Sequence, residues 1–154
     1  MLGFFEWCEQ TGVAQGIQQS TWLFPVIEAF HLIALGLFGG TVLLVNLRLL
    51  RLVLSDYPVA DLARDARPWF LGSLVVMIVS GALLFVSEAV KCYYSFPFWV
   101  KMTSLLLAII FTFTVHRRVT LGDSRRLMQG VAACISLVLW SAVAWGGRWI
   151  GFSG

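Results

Sequence analysis

The chain has 154 residues, of which 59% are hydrophobic and only 12% charged, about half the charged content of a typical soluble domain. An ordinary soluble globular protein is thereby excluded. So is a nucleic-acid-binding surface, because the net charge of +3 is spread along the chain with no block of five or six like charges. In residues 1–20, Phe4, Phe5, Trp7, Val13 and Ile17 are interleaved with Glu6, Glu9, Gln10 and Gln15, which predicts a short helix lying on the outer membrane surface. This segment has no Lys or Arg, so it lacks the basic start of a cleaved signal peptide and is expected to stay on the protein.

Four long apolar segments follow. The first, about residues 22–48, holds Glu28, His31 and Asn46 and ends at Arg48. Within it Gly36 and Gly40 stand at GxxxG spacing with Gly39 alongside, a pattern for close helix approach. Residues 55–68 read as a polar connection punctuated by Pro58 and Pro68. The second segment, about 69–88, is uncharged until Glu88; Cys92 follows it on the same side as Cys8, where an oxidising compartment would allow a disulfide between them, free thiols being the equally common alternative. The third, about 97–116, carries Lys101 near its start and His116 at its end. The fourth, about 126–149, is charged only at Arg126 and Arg148, repeats the small-residue spacing at Ala142 and Gly146, and contains Cys134 as an expected packing residue.

Each segment is near the ~20 residues needed to cross about 30 Å of hydrocarbon. Lipid offers no partner to the backbone of a lone strand, and no barrel-like alternation is present, so each is read as a helix. The expected fold is an all-α membrane protein, a single domain built as a four-helix transmembrane bundle with a short N-terminal surface helix.

Charge sets the expected orientation. The first and third connections hold Arg48, Arg51, Arg64, Arg67, Arg117, Arg118, Arg125 and Arg126, against Lys91, Lys101 and Arg148 on the other side. The arginine-rich side is therefore cytoplasmic and both termini lie outside, in a bacterial inner membrane. Trp22, Trp99, Trp145 and Trp149 fit an outer aromatic belt, with Trp69 marking the inner face.

Ionisable groups in spans are costly and mark function by default. A rise of about 1.5 Å per residue places Glu28 and His31 in the outer half, near Glu88 and Lys101. These four form an expected outer polar cluster, and Asn46, Arg48, His116 and Arg117 an inner one. Glu28, His31, Lys101 and His116 are the candidate cofactor-binding residues, with His31 the candidate metal ligand. Its second nitrogen would be oriented by Glu28 or another acceptor. Lys101 either snorkels to headgroups or meets a ligand's carboxylates. The two histidines differ in depth by about 12 Å, so they are not expected to clamp one haem within a chain.

His31, the Gly39-Gly40 pair, the run Asn46-Leu47-Arg48-Leu49-Leu50, Phe98-Trp99-Val100-Lys101 and His116-Arg117-Arg118 resemble a small bacterial inner-membrane family. The likeness covers most of residues 20–120. It is distantly similar to the CopD copper-resistance membrane proteins and the HemJ-type protoporphyrinogen oxidases. The resemblance implies a histidine-bearing four-helix core associated with haem, tetrapyrrole or copper chemistry, carried onto His31 and Lys101.

Three functions are in view. The leading one is a haem b-binding membrane redox protein, with His31 as an axial ligand and a quinone or outer protein as redox partner. A homodimer seated on the small-residue stripes would let two His31 side chains share one haem. The second is a copper or small-solute transporter using Glu28, His31 and Glu88, although no methionine or cysteine pair offers the soft ligands copper(I) prefers. The third is a structural or accessory subunit.

Overall fold

The computed structural model describes residues 2–122 and 124–150, and those residues are almost entirely helical, with no strand among them. Two short helices, α1 (Leu2–Glu9) and α2 (Gly12–Gln19), precede α3 (Leu23–Leu49) and α4 (Val59–Ser87). A short α5 (Ala89–Tyr94) leads into α6 (Phe96–Phe111), which continues through a π-helical turn at Thr112–His116 into α7 (Arg117–Leu121); α8 (Arg126–Ile150) closes the bundle. Four of these stretches, Leu23–Leu49, Val59–Ser87, Phe96–Leu121 and Arg126–Ile150, are long and apolar enough to cross a membrane. The protein is a multi-pass four-helix membrane bundle.

Helix α3 packs along α4 and against α8, and α6 packs along α8. The central core is built from Ala34, Phe38, Val42, Leu74, Met77, Ala108, Trp140 and Val143, with the Phe38 and Trp140 rings 4.5 Å apart. Leu32, Ile33, Leu37, Val75, Val79, Leu106 and Val138 point outwards. In lipid this inversion carries no penalty, because the solvent around the bundle is itself apolar.

Helix α4 begins ten residues before the expected span and runs through Pro68. The polar connection expected over 55–68 is therefore only partly a loop. Pro58 caps the helix start, where a missing N–H costs nothing. Leu62 and Ala66 are drawn into helix because both are buried, Ala66 joining a core with Val45 and Leu49 of α3 and Ala133 of α8. In the turn that remains, Arg51 and Leu54 have left-handed backbone (φ 60° and 50°). Arg48 holds it closed: its Nε donates to the Tyr57 carbonyl at 2.7 Å and its Nη2 to the Ser55 carbonyl at 3.0 Å.

The N-terminal segment is two helices, not one, and it caps one end of the bundle. Phe5 and Cys8 are buried with Ala89, Cys92 and Phe98. The Glu9 carboxylate accepts from the Val90 N–H at 3.0 Å, and Gln18 Nε2 donates to the Ser87 carbonyl at 2.7 Å. Cys8 and Cys92 thus meet in one core cluster as the sequence suggested, but as free thiols. Burial, reinforced by the nearby Glu88 carboxylate, pushes the Cys92 thiol up to about 11. At pH 8 only about one Cys92 in a thousand is then thiolate, the reactive form. Alkylation of Cys92 by iodoacetamide at pH 8, followed by peptide mass spectrometry, is expected to be at least tenfold slower in folded than in denatured protein; equal rates would contradict this burial.

One packing expectation is narrowed and another is corrected. A Cβ added at Gly36, Gly39 or Gly40 meets nothing, so these glycines lie on the bundle's exterior and make no contact within it. Cys134 is exposed because Ala132, Ala133 and Ser136 take the inward face of α8. Gly146, by contrast, is a true contact: a Cβ there would lie 3.1–3.2 Å from the Lys101 backbone and Cβ, so α6 and α8 approach closely only because it has none. Ala142 is half-buried beside it on α8.

Candidate functional site

Two polar groups lie inside the bundle, one in each half. The first is built on His31. Its Nδ1 is 2.8 Å from Ser80 Oγ, while the Ser80 hydroxyl donates to the Val76 carbonyl at 2.6 Å. With its proton committed to that carbonyl, Ser80 accepts, so His31 carries its hydrogen on Nδ1 and Nε2 has no side-chain partner among the described residues, while the Met77 backbone also lies within hydrogen-bonding range of the ring. Gly81 lets the ring lie against α4: a Cβ there would stand 3.2 Å from His31 Cε1.

Lys101 lies within Coulombic range of His31 and Cys92, and its aliphatic stem runs over Gly147, whose added Cβ would sit 3.5–3.7 Å from Nζ, Cε and Cδ. It makes no ion pair with any described residue. The expected outer cluster is therefore only half assembled. Glu28 is exposed, because three residues carry it about 60° around α3 from His31. Glu88 pairs with Lys91 at 3.7 Å. Ser80, not Glu28, orients His31.

The second group is fully buried. Asn46 Nδ2 donates to the Val42 carbonyl at 2.8 Å and to Ser136 Oγ at 3.1 Å, and its Oδ1 accepts from His116 Nε2 at 3.0 Å. Thr120 Oγ1 lies 3.3 Å from His116 Nδ1 and donates to the His116 carbonyl at 2.6 Å. The π turn ending at His116 supplies the register: its extra residue turns Thr112, His116 and Thr120 towards the interior. Of the expected inner cluster, Asn46 and His116 come together. Arg48 is spent on the α3–α4 turn, and Arg117 is exposed. Ser80, Thr112, Thr120 and Ser136 were not singled out from the sequence; being hydroxyls in apolar spans was the available signal.

Beside this group, between α4 and the α6–α7 helix, opens a cavity of about 220 Å³. Phe70, Phe113 and Trp140 wall it, and Arg64, Arg67 and Arg117 stand at its mouth. His31 and Asn46 are fifteen residues apart on α3, or about 22 Å along the axis. The two histidines therefore belong to separate sites.

This geometry defines a multi-pass membrane protein with one free imidazole nitrogen in one half of the bundle and a polar-floored cavity in the other. The chain belongs to a family of unknown function, DUF6644, which matches residues 4–153. No curated protein and no solved structure matches it.

Proposed function

We propose that this is a haem-binding membrane redox protein in which His31 is the axial ligand. The observation that carries the reading is the free Nε2 of an intramembrane imidazole whose Nδ1–H is already committed to Ser80. Metal-bound histidines characteristically donate their other ring N–H in this way. Haem b supplies one-electron redox chemistry when bound. Ser80 fixes the tautomer and ring orientation of His31, and the Lys101 ammonium, which has no acidic partner among the described residues, would neutralise a propionate. The likeness of the His31 and Lys101 segments to CopD and HemJ-type proteins points the same way.

Positive charge concentrated at the α3–α4 and α7–α8 connections supports a cytoplasmic arginine-rich end and outer termini in a bacterial inner membrane. The exposed Trp22, Trp99, Trp145 and Trp149 suit the outer interface. A haem shared between two copies through the α3 glycines gains no support, since Gly36 and Gly40 lie about 140° and 180° around the helix from His31. Nor does copper transport: Glu28, His31 and Glu88 do not converge, and no three His, Cys, Asp or Glu side chains among the described residues are grouped to hold a metal ion. A purely structural role accounts for the Asn46–His116 group but leaves the free Nε2 unexplained.

An absorption spectrum of detergent-purified protein, with and without dithionite, tests the proposal. Protein from cells supplied with haem precursor is expected to show a Soret band and sharpened α and β bands on reduction. A colourless preparation from the same cells overturns the reading.

A further inference from the structure

We infer that the cavity at the arginine-rich end binds the ring of a membrane-dissolved quinone. The inference rests on where hydrogen-bond donors are left over. Ser136 Oγ accepts from Asn46 and Thr112 Oγ1 accepts from the Trp140 indole N–H at 3.2 Å, yet no described residue accepts either hydroxyl's proton. Both residues line the cavity. The floor therefore offers two neutral O–H donors and asks for an acceptor oxygen. A buried donor without a partner costs about 1–3 kcal/mol, so the cavity favours a ligand that supplies one.

The walls and mouth narrow the class. The Phe70, Phe113 and Trp140 side chains present flat apolar surface, and none of the described residues lining the space is acidic. Its volume of about 220 Å³ exceeds that of an engineered cavity of about 150 Å³ that takes up benzene, so a single substituted ring fits. A phosphate or carboxylate headgroup would need cations deep in the cavity, whereas the arginines that line it, Arg64, Arg67 and Arg117, are exposed residues. A quinone matches both levels: one carbonyl can accept from the floor hydroxyls, the opposite one faces the arginines, and the apolar tail leaves between α4 and α7 into lipid. This site is separate from His31 and stands whether or not a haem is bound.

Equilibrium dialysis of the full-length protein in detergent against a decyl-tailed benzoquinone tests the assignment. One saturable site per chain is expected. Ser136→Ala should weaken it about fivefold to tenfold, the size of one neutral hydrogen bond. Ala63→Phe, which fills the mouth from a half-exposed position of α4, should abolish it. Circular dichroism and gel-filtration elution unchanged from wild type identify the variants as folded. Oleate and phosphatidylglycerol, added as competitors, should not displace the quinone. Absence of saturable binding by the wild-type protein, binding indifferent to both substitutions, or equal displacement by either anionic lipid overturns the assignment. Because the readout is quinone binding, it is scored the same way in protein with or without a Soret band, so its failure is distinct from failure of the haem reading.

Discussion

Replacing His31 by alanine is expected to remove the Soret band of the purified protein completely, because no other imidazole lies within about 20 Å of the site along the bundle. His116→Ala should keep most of it. A finer test separates ligand from bystander. Ser80→Ala leaves the imidazole in place but removes the hydroxyl 2.8 Å from Nδ1, and loss of such a partner typically weakens metal affinity 10–100-fold. Glu28→Gln, on the exposed side of α3, should change haem affinity by less than a factor of two. Haem titration of the four variants decides the matter. Full haem retention by the His31 variant would remove it as a ligand, and a larger loss for Glu28→Gln than for Ser80→Ala would return the supporting role to the carboxylate.

The second large effect is on stability. Asn46→Leu is expected to cost about 1–3 kcal/mol, chiefly because the His116 N–H is left without an acceptor in an apolar interior. The companion change should then be partly compensating: with His116→Phe added, both partners are apolar and no orphan donor remains. The double variant is expected to be more stable than Asn46→Leu alone, measured by unfolding in mixed micelles. Interhelical hydrogen bonds in membranes average only about 0.6 kcal/mol in such cycles, so the orphaned donor, not the lost bond, dominates the single variant. Strict additivity of the two single changes would show that the pair does not act as a unit.

Why parts of this molecule are legible in its sequence follows from the range of the forces concerned. Span number and helical state are local. An uninterrupted apolar run of about 20 residues must satisfy its own backbone in lipid, and helix is how it does so. The expected spans accordingly overlap Leu23–Leu49, Val59–Ser87, Phe96–Leu121 and Arg126–Ile150, overrunning the first at its start and the second at its end by one residue. The ends were misjudged where tertiary burial overrode local cues. Pro68 and the charges around it suggest a loop, yet Leu62 is buried and Ala66 finds an apolar partner surface on α3, and α4 extends towards Pro58. The glycines illustrate the converse. GxxxG spacing on α3 marks a surface that allows close approach, but nothing in this chain approaches it, whereas Gly146 on α8 meets the α6 backbone.

Residue type and position along the chain thus determined that His31 sits at depth in a span, that Lys101 begins the third helix, and that arginines gather at one end. Pairing was decided only by the fold. His31 meets Ser80 across 49 residues, His116 meets Asn46 across 70, and Asn46 meets Ser136 across 90. Sequence spacing places Glu28 and His31 near one face of one helix, but the rotation of α3 against α4 and α8 selects which neighbour's hydroxyl fills the hydrogen-bonding space. Between helices packed in lipid that choice is enforced, since a polar group turned towards the hydrocarbon finds no hydrogen-bond partner there.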